Sequence, residues 1–67
     1  MEDYRGTPLR VGDKVAVFYG YGMLETAFVT EIKNGRCKLK VHYYYNTPNE
    51  HIVDSKWRDG FSMVKID

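Results

Sequence analysis

Residues 25–44 read ETAFVTEIKNGRCKLKVHYY, and they predict a β-hairpin. Both central residues of a type I′ turn adopt positive φ, which Asn and Gly tolerate better than other residues, so Asn34-Gly35 is the expected turn. The residues before the turn are rich in Thr, Val, Phe and Ile, which strands favour. We therefore expect two paired strands, one over residues 25–33 and a return strand over residues 36–44.

The predicted return strand alternates between apolar and polar residues, and successive side chains of a strand point to opposite faces of a sheet. The apolar set, which we expect in the core, is Cys37, Leu39, Val41 and Tyr43. The polar set, which we expect in solvent, is Arg36, Lys38, Lys40, His42 and Tyr44. Uniform alternation in the preceding strand sorts Thr26, Phe28, Thr30 and Ile32 to one face and Ala27, Val29 and Glu31 to the other.

Three further runs predict short strands, over residues 14–19, 51–53 and 61–66. Gly20-Tyr21-Gly22 predicts a loop after the first run, and residues 54–57 predict a helical turn capped by Asp54 or Ser55. Five short strands at this spacing indicate a small all-β barrel, because closing a barrel removes the exposed edges of an open sheet. Residues 1–9 predict a flexible lead-in, so we expect the domain over residues 10–67.

Length and composition disfavour an enzyme. A chain of 67 residues forms one domain, and such a domain buries only about 60% of its unfolded surface, which leaves little room for an enclosed active site. Neither Ser55 nor Ser62 lies in a recognisable nucleophile motif, so no catalytic residue is predicted. The aromatic residues are six Tyr, three Phe and one Trp. We expect Phe side chains in the core and much of the amphipathic Tyr set partly exposed.

The sequence predicts no metal, cofactor or membrane span. Its single cysteine, Cys37, excludes an internal disulfide and a cysteine-based zinc site. The only histidines are His42 and His51, and no run approaches the roughly 18 apolar residues that span a bilayer. The net charge is +1, yet residues 32–49 contain Lys and Arg but no acid, so this stretch is either a solvated strand face or a binding patch.

Three segments resemble the chromo-barrel or Tudor-knot branch of the Tudor-like superfamily. They are Val11-Gly12-Asp13-Lys14-Val15, Phe18-Tyr19-Gly20 and Lys38-Leu39-Lys40-Val41-His42-Tyr43-Tyr44. The resemblance covers residues 10–66 and implies an SH3-like, five-stranded barrel with a short helical turn before its last strand. It also implies a nuclear, chromatin-bound module, often part of a histone acetyltransferase or deacetylase complex, that binds histone tails, nucleic acid or both.

The resemblance implies an aromatic cage for methylated lysine, which would be held by cation–π attraction. Tyr19 and Tyr43 match cage positions of the family. Where the family carries tryptophans after its His-Tyr pair, this chain has Tyr44-Tyr45-Asn46. The implied cage is therefore a variant one. From the residues alone, we expect Tyr43 to be a core residue and Trp57 to fill the inside of the barrel, and neither to contact a ligand.

These observations predict a non-catalytic recognition module with a tyrosine-rich, basic surface. The aromatic ligand-binding residues are predicted to be Tyr19, Tyr21, Tyr44 and Tyr45. The nucleic-acid-binding residues are predicted to be Arg36, Lys38, Lys40 and His42. The predicted ligand is RNA, DNA or a histone tail. Two alternatives stay open, namely a methyl-lysine reader with a variant cage and a scaffold that docks a partner protein segment.

Overall fold

The computed structural model describes residues 1–19 and 23–66 as a five-stranded, antiparallel sheet. Its strands are β1 (Lys14–Phe18), β2 (Leu24–Lys33), β3 (Arg36–Tyr43), β4 (His51–Asp54) and β5 (Met63–Lys65). The strand order is β4-β3-β2-β1-β5, and within the described residues β4 and β5 are not paired with each other. The prediction of a small all-β domain with five strands is confirmed, and the sheet is open.

The central hairpin is confirmed at its turn and along its register. Asn34 and Gly35 both have positive φ, 53° and 75°, as a type I′ turn requires. Lys33 pairs with Arg36 across the turn, and the pairing continues to Thr26 opposite His42. The turn chemistry therefore fixes which residues of β2 and β3 share a face.

The core is built from short apolar side chains on one face of the sheet. Its fully buried members are Val15, Val17, Ala27, Val29, Cys37, Leu39, Val41 and Met63. The expectation that Phe side chains fill the core is wrong, because Phe18 and Phe61 are 56% and 79% exposed and Phe28 lies half-buried on the outer face of β2. Alternation from the buried Val15 and Val17 already places Phe18 on the outer face.

A β-bulge in β2 breaks the uniform alternation that the sequence predicts. Val29 pairs with Leu39, but the next paired residue is Glu31, opposite Lys38. The extra residue turns the strand over, so Ile32 packs against the core and Glu31 is exposed. As a result, a carboxylate lies on the outer face directly across from Lys38.

The single helical turn lies later than predicted. Residues 54–57 are not helical, because Ser55 exchanges hydrogen bonds with the backbone of Leu39 and keeps this segment extended along β3. A 3₁₀ turn instead spans Gly60–Ser62, where the Asp59 carboxylate accepts from the Phe61 N–H. The turn does precede the last strand, as predicted. A search of the described residues for helices that could span a membrane finds none.

Residues 1–9, which the sequence predicts to be a flexible lead-in, are attached to the sheet. Asp3 is buried, and its carboxylate accepts hydrogen bonds from the backbone N–H groups of Arg5, Thr7 and Lys65 at 2.7–2.9 Å. Burial opposes its charge, but these three donors outweigh that effect and lower the pKa of Asp3. A single buried carboxylate thus ties the first residues to β5.

Candidate functional site

The tyrosine groove is a surface depression of about 470 Å³ between the end of β1, the start of β2 and the end of β3. Its walls are Tyr19, Met23, Leu24, Glu25, Thr26, Tyr43, Tyr44 and Tyr45. The rings of Tyr19 and Tyr43 lie 6.2 Å apart and are tilted by 59°. The groove therefore combines four aromatic rings with one carboxylate, that of Glu25.

Three of the four predicted tyrosines line the tyrosine groove. Tyr19 is half-buried, whereas Tyr44 and Tyr45 are 69% and 39% exposed. Tyr21 lies outside the described residues. Tyr43 borders both the groove and the core, so it is not a purely internal residue.

Tyr44 stands in the groove on a left-handed backbone, with a φ of 53°. Such a conformation is uncommon for a bulky side chain. The turn that follows is held by Thr47, whose N–H and hydroxyl both donate to the Tyr44 carbonyl. The return strand was predicted to reach Tyr44, but it ends at Tyr43, and Tyr44 belongs to the turn that follows.

Two of the rings in the groove already contact cations of the protein itself. The Arg58 guanidinium lies 5.3 Å from the centre of the Tyr19 ring, and the Lys14 ammonium lies 5.0 Å from that of Tyr45. Arg58 also donates to the Phe18 carbonyl, which fixes it at the edge of the groove. These contacts demonstrate that the rings present faces on which a positive charge can rest.

Half of the basic row on β3 is neutralised by carboxylates. The Lys40 Nζ lies 3.3 Å from the Asp54 Oδ1, and the His42 Nδ1 lies 2.9 Å from the Glu50 Oε2. The hydrogen bond from His42 lowers the pKa of Glu50, with a further contribution from the Asn46 N–H. Each of these two side chains therefore already contacts a carboxylate of the protein.

The other half of the row lies at the hairpin end, which we define as Lys33, Arg36, Lys38 and Trp57. The Lys38 Nζ sits 5.1 Å from the centre of the Trp57 ring. Trp57 is 36% exposed rather than a plug of the core, and it lines a hollow of about 310 Å³ with Lys33 and Arg36. Within the described residues, none of these three cations has an ion-pair partner.

No group of three His, Cys, Asp or Glu side chains within residues 1–19 and 23–66 could hold a metal ion. Cys37 is fully buried, with its Sγ 3.9 Å from the Met63 Sδ. Burial raises the pKa of the Cys37 thiol, which keeps it protonated and unreactive. Its role in the described structure is packing.

A family model described as Domain of unknown function (DUF7205) matches residues 1–66. The chain belongs to this family. No curated protein and no solved structure is significantly similar to it. The DUF7205 match includes residues 1–9, in agreement with their attachment to the sheet through Asp3.

Sequence reasoning missed two groups of residues around the sites of this DUF7205 chain. Glu25 and Lys14 reach the tyrosines only through the pairing of β1 with β2, in which Val17 lies opposite Glu25. Trp57 reaches Lys38 because the segment after β4 stays extended, so that Arg58 bridges to Cys37.

Proposed function

We propose that this chain is a non-catalytic recognition module whose tyrosine groove binds a cationic side chain of a protein segment. The observation that carries the proposal is the composition of the groove, which is lined by four tyrosine rings and by Glu25. Ring faces and a carboxylate both attract a positive charge, and they repel a phosphate. A lysine, methylated or not, is the ligand that suits both groups.

We propose that the sheet curls into an SH3-like barrel, the fold expected from the resemblance. The core lies on one face of a single sheet, and eight of its residues are at most 1% exposed. The described residues contain no α-helix that could cover this face. A lone sheet buries its apolar face by closing on itself, which supports a barrel.

The backbone of Tyr44 supports a functional role for its ring. A left-handed conformation costs a bulky residue about 1–2 kcal/mol, and Asn or Gly would adopt it with less strain. The side chain is 69% exposed, so packing returns little of this energy. Strain that packing does not offset is found at binding sites, where it holds a contact residue in place.

In the first experiment, the protein is titrated with a short peptide that carries one central lysine, and binding is measured by calorimetry. Matched peptides carry trimethyl-lysine, acetyl-lysine or norleucine at the same place. We expect the two cationic peptides to bind and the two neutral ones to bind at least about tenfold more weakly, because only a cation gains from the rings and the carboxylate. Tighter binding of trimethyl-lysine would favour the methyl-lysine reader.

Two variants locate the site. Tyr44→Ala and Glu25→Gln should each weaken binding of the cationic peptides. Tyr4→Ala is the matched control, because Tyr4 is 68% exposed, as Tyr44 is, but lies outside the groove. Equal affinity for lysine and acetyl-lysine peptides, or equal loss in Tyr4→Ala, would refute the proposal.

The hairpin end supports a second candidate function, the binding of single-stranded nucleic acid. Lys38 rests on the exposed Trp57 ring, and Lys33 and Arg36 line a hollow with that ring. None of the three cations forms an ion pair in the described structure. Cations that follow a phosphate backbone beside a ring that stacks on a base are the usual elements of such sites. This candidate keeps Arg36 and Lys38 of the predicted nucleic-acid set and leaves out Lys40 and His42.

Salt dependence tests the second candidate. Affinity for a short single-stranded RNA or DNA should fall as salt rises, with a slope set by about three phosphate contacts. Arg36→Gln should reduce that slope by about one contact. Binding that does not respond to salt or to this substitution would rule out the hairpin end as a nucleic-acid site.

The cellular setting stays a prediction from the resemblance. It places the module in the nucleus, bound to chromatin as part of a larger chromatin-modifying protein or complex. Co-purification with nucleosomes that survives nuclease treatment would support a histone ligand. A single stable partner without histones would instead favour the protein scaffold.

A further inference from the structure

A second surface of this chain is apolar without any charged group among its members. The apolar face consists of Tyr4, Phe18, Leu24, Phe61 and Ile66, which line one hollow of about 440 Å³. Ala16 and Val64, paired across β1 and β5, form its floor. The five large side chains are 45–79% exposed. Leu24 also borders the tyrosine groove, but the proposed binding of a cationic side chain gives the other four side chains no role.

The exposed area of the apolar face is large for a chain of this length. Tyr4, Phe18 and Phe61 are 56–79% exposed, and since an aromatic side chain offers about 150–250 Å² they present on the order of 400 Å² together. Leu24 and Ile66 bring the total to about 600 Å², the upper range of apolar patches on monomeric proteins. Patches at the top of this range are often functional.

The neighbouring sheet edge is closed to strand addition. Along β5 the Tyr4 N–H donates to the Met63 carbonyl, and the Lys65 N–H donates to the Asp3 carboxylate. These contacts occupy backbone groups that an added strand from another chain would need. A partner must therefore pack side chains on the face itself.

We infer that the apolar face is covered by a second copy of this chain, in a two-fold symmetric dimer. Complete burial of these side chains in two copies would remove about 1,200 Å² from solvent, which reaches the lower bound for a stable specific interface. An apolar surface packs on its own symmetry mate without complementary charges, because each ring meets another ring. Recognition of an unrelated protein would call for polar groups on the face to fix its orientation.

Analytical ultracentrifugation over a wide range of protein concentration tests the inference. We expect the mass to double as concentration rises. Phe61→Ser should weaken dimerisation by about tenfold or more, as loss of a central aromatic residue does at interfaces. Phe61 is 79% exposed, so its replacement leaves the core intact, and circular dichroism with thermal melting verifies folding.

Tyr44→Ser is the matched control, because it removes an equally exposed ring from the tyrosine groove. It should leave the dimer unchanged while it weakens binding of the lysine peptide. Failure of the dimer and failure of the groove are thus separate results. A monomer at every concentration would overturn the inference, as would a dimer that Tyr44→Ser disrupts and Phe61→Ser does not.

Discussion

The two ends of β3 carry similar residues in opposite electrostatic surroundings. At the Tyr43 end, the tyrosine groove includes Glu25, and Lys40 and His42 are paired with Asp54 and Glu50. Two cations of the protein, Lys14 and Arg58, already rest on rings of this groove. At the Arg36 end, a tryptophan ring lies near three cations that form no ion pair in the described structure, although Glu31 lies across from Lys38. We therefore propose that the two ends, which share aromatic rings and basic side chains, bind ligands of opposite charge.

The difference teaches that the count of basic residues on a strand does not identify its ligand. One strand face carries a regular row of basic residues about 7 Å apart, namely Arg36, Lys38, Lys40 and His42. The segment over residues 32–49 contains no acid. What divides the row is the acids contributed by β4 and by the loop before it. We therefore expect the charge of the preferred ligand to depend on acids that lie nearby in space but on other strands or loops.

The largest expected effect concerns the sheet that supports both ends. Asp3→Asn places an amide where the carboxylate accepts three backbone hydrogen bonds, and one N–H then faces an amide nitrogen. The expected loss is about 3 kcal/mol of the free energy of unfolding, as for hydrogen bonds to a buried charge. Urea unfolding followed by Trp57 fluorescence measures it.

The pH dependence of the same variant has a definite sign. Because folding lowers the pKa of Asp3, its contribution is present above the ordinary aspartate pKa and is lost as the pH falls through the lowered value. The wild type should thus lose stability on acidification, and Asp3→Asn should lose less over that range. Parallel pH profiles for the two proteins would contradict this assignment. Both the lysine peptide and the oligonucleotide should still bind the folded variant, because Asp3 contributes to stability and belongs to neither binding site.

Trp57→Ala should weaken binding at the hairpin end and leave binding at the tyrosine groove unchanged. Removal of a stacking ring costs about 1–3 kcal/mol per base in single-strand binding. Binding of a single-stranded oligonucleotide, followed by fluorescence anisotropy of a labelled strand, should weaken accordingly, while the lysine peptide keeps its affinity. Loss of peptide binding together with the oligonucleotide would indicate that the two ends form one site.

Tyr44→Asn should separate binding from stability at the groove. Asn tolerates a left-handed backbone, so the free energy of unfolding should rise by up to about 1 kcal/mol. Affinity for the lysine peptide should fall at the same time, because one ring is lost. Thermal melting and calorimetry on one preparation measure both. A variant that is less stable than the wild type would show that the Tyr44 ring contributes packing energy.

The hairpin and its faces could be predicted because they depend on local chemistry. Asn34-Gly35 selects its turn through positive φ, and the alternation of Cys37, Leu39 and Val41 selects the buried face. Both signals act over a few residues. They located the strands to within one or two residues of their observed bounds.

The pairing of distant residues could not be predicted in this way. The bulge after Val29, the extended path of residues 55–58 and the burial of Asp3 all depend on contacts between separate segments. These contacts bring Glu31 across from Lys38 and Trp57 under it. The charges and rings of each site were visible in the sequence, but their neighbours were not.

The smallest expected effect tests the role of the carboxylates directly. Asp54→Asn removes the partner of Lys40, an exposed pair with side chains 54% and 78% accessible, so stability should change by less than about 1 kcal/mol. Freed from its partner, Lys40 extends the cationic row from the hairpin end by one step. Oligonucleotide affinity at low salt should then rise a few-fold, with a salt slope steeper by about one contact. Glu25→Gln, which removes an acid from the tyrosine groove at the other end of β3, controls for net charge. An equal gain in that control would mean that total charge, and not the local pairing of Lys40, sets the difference between the two ends of β3.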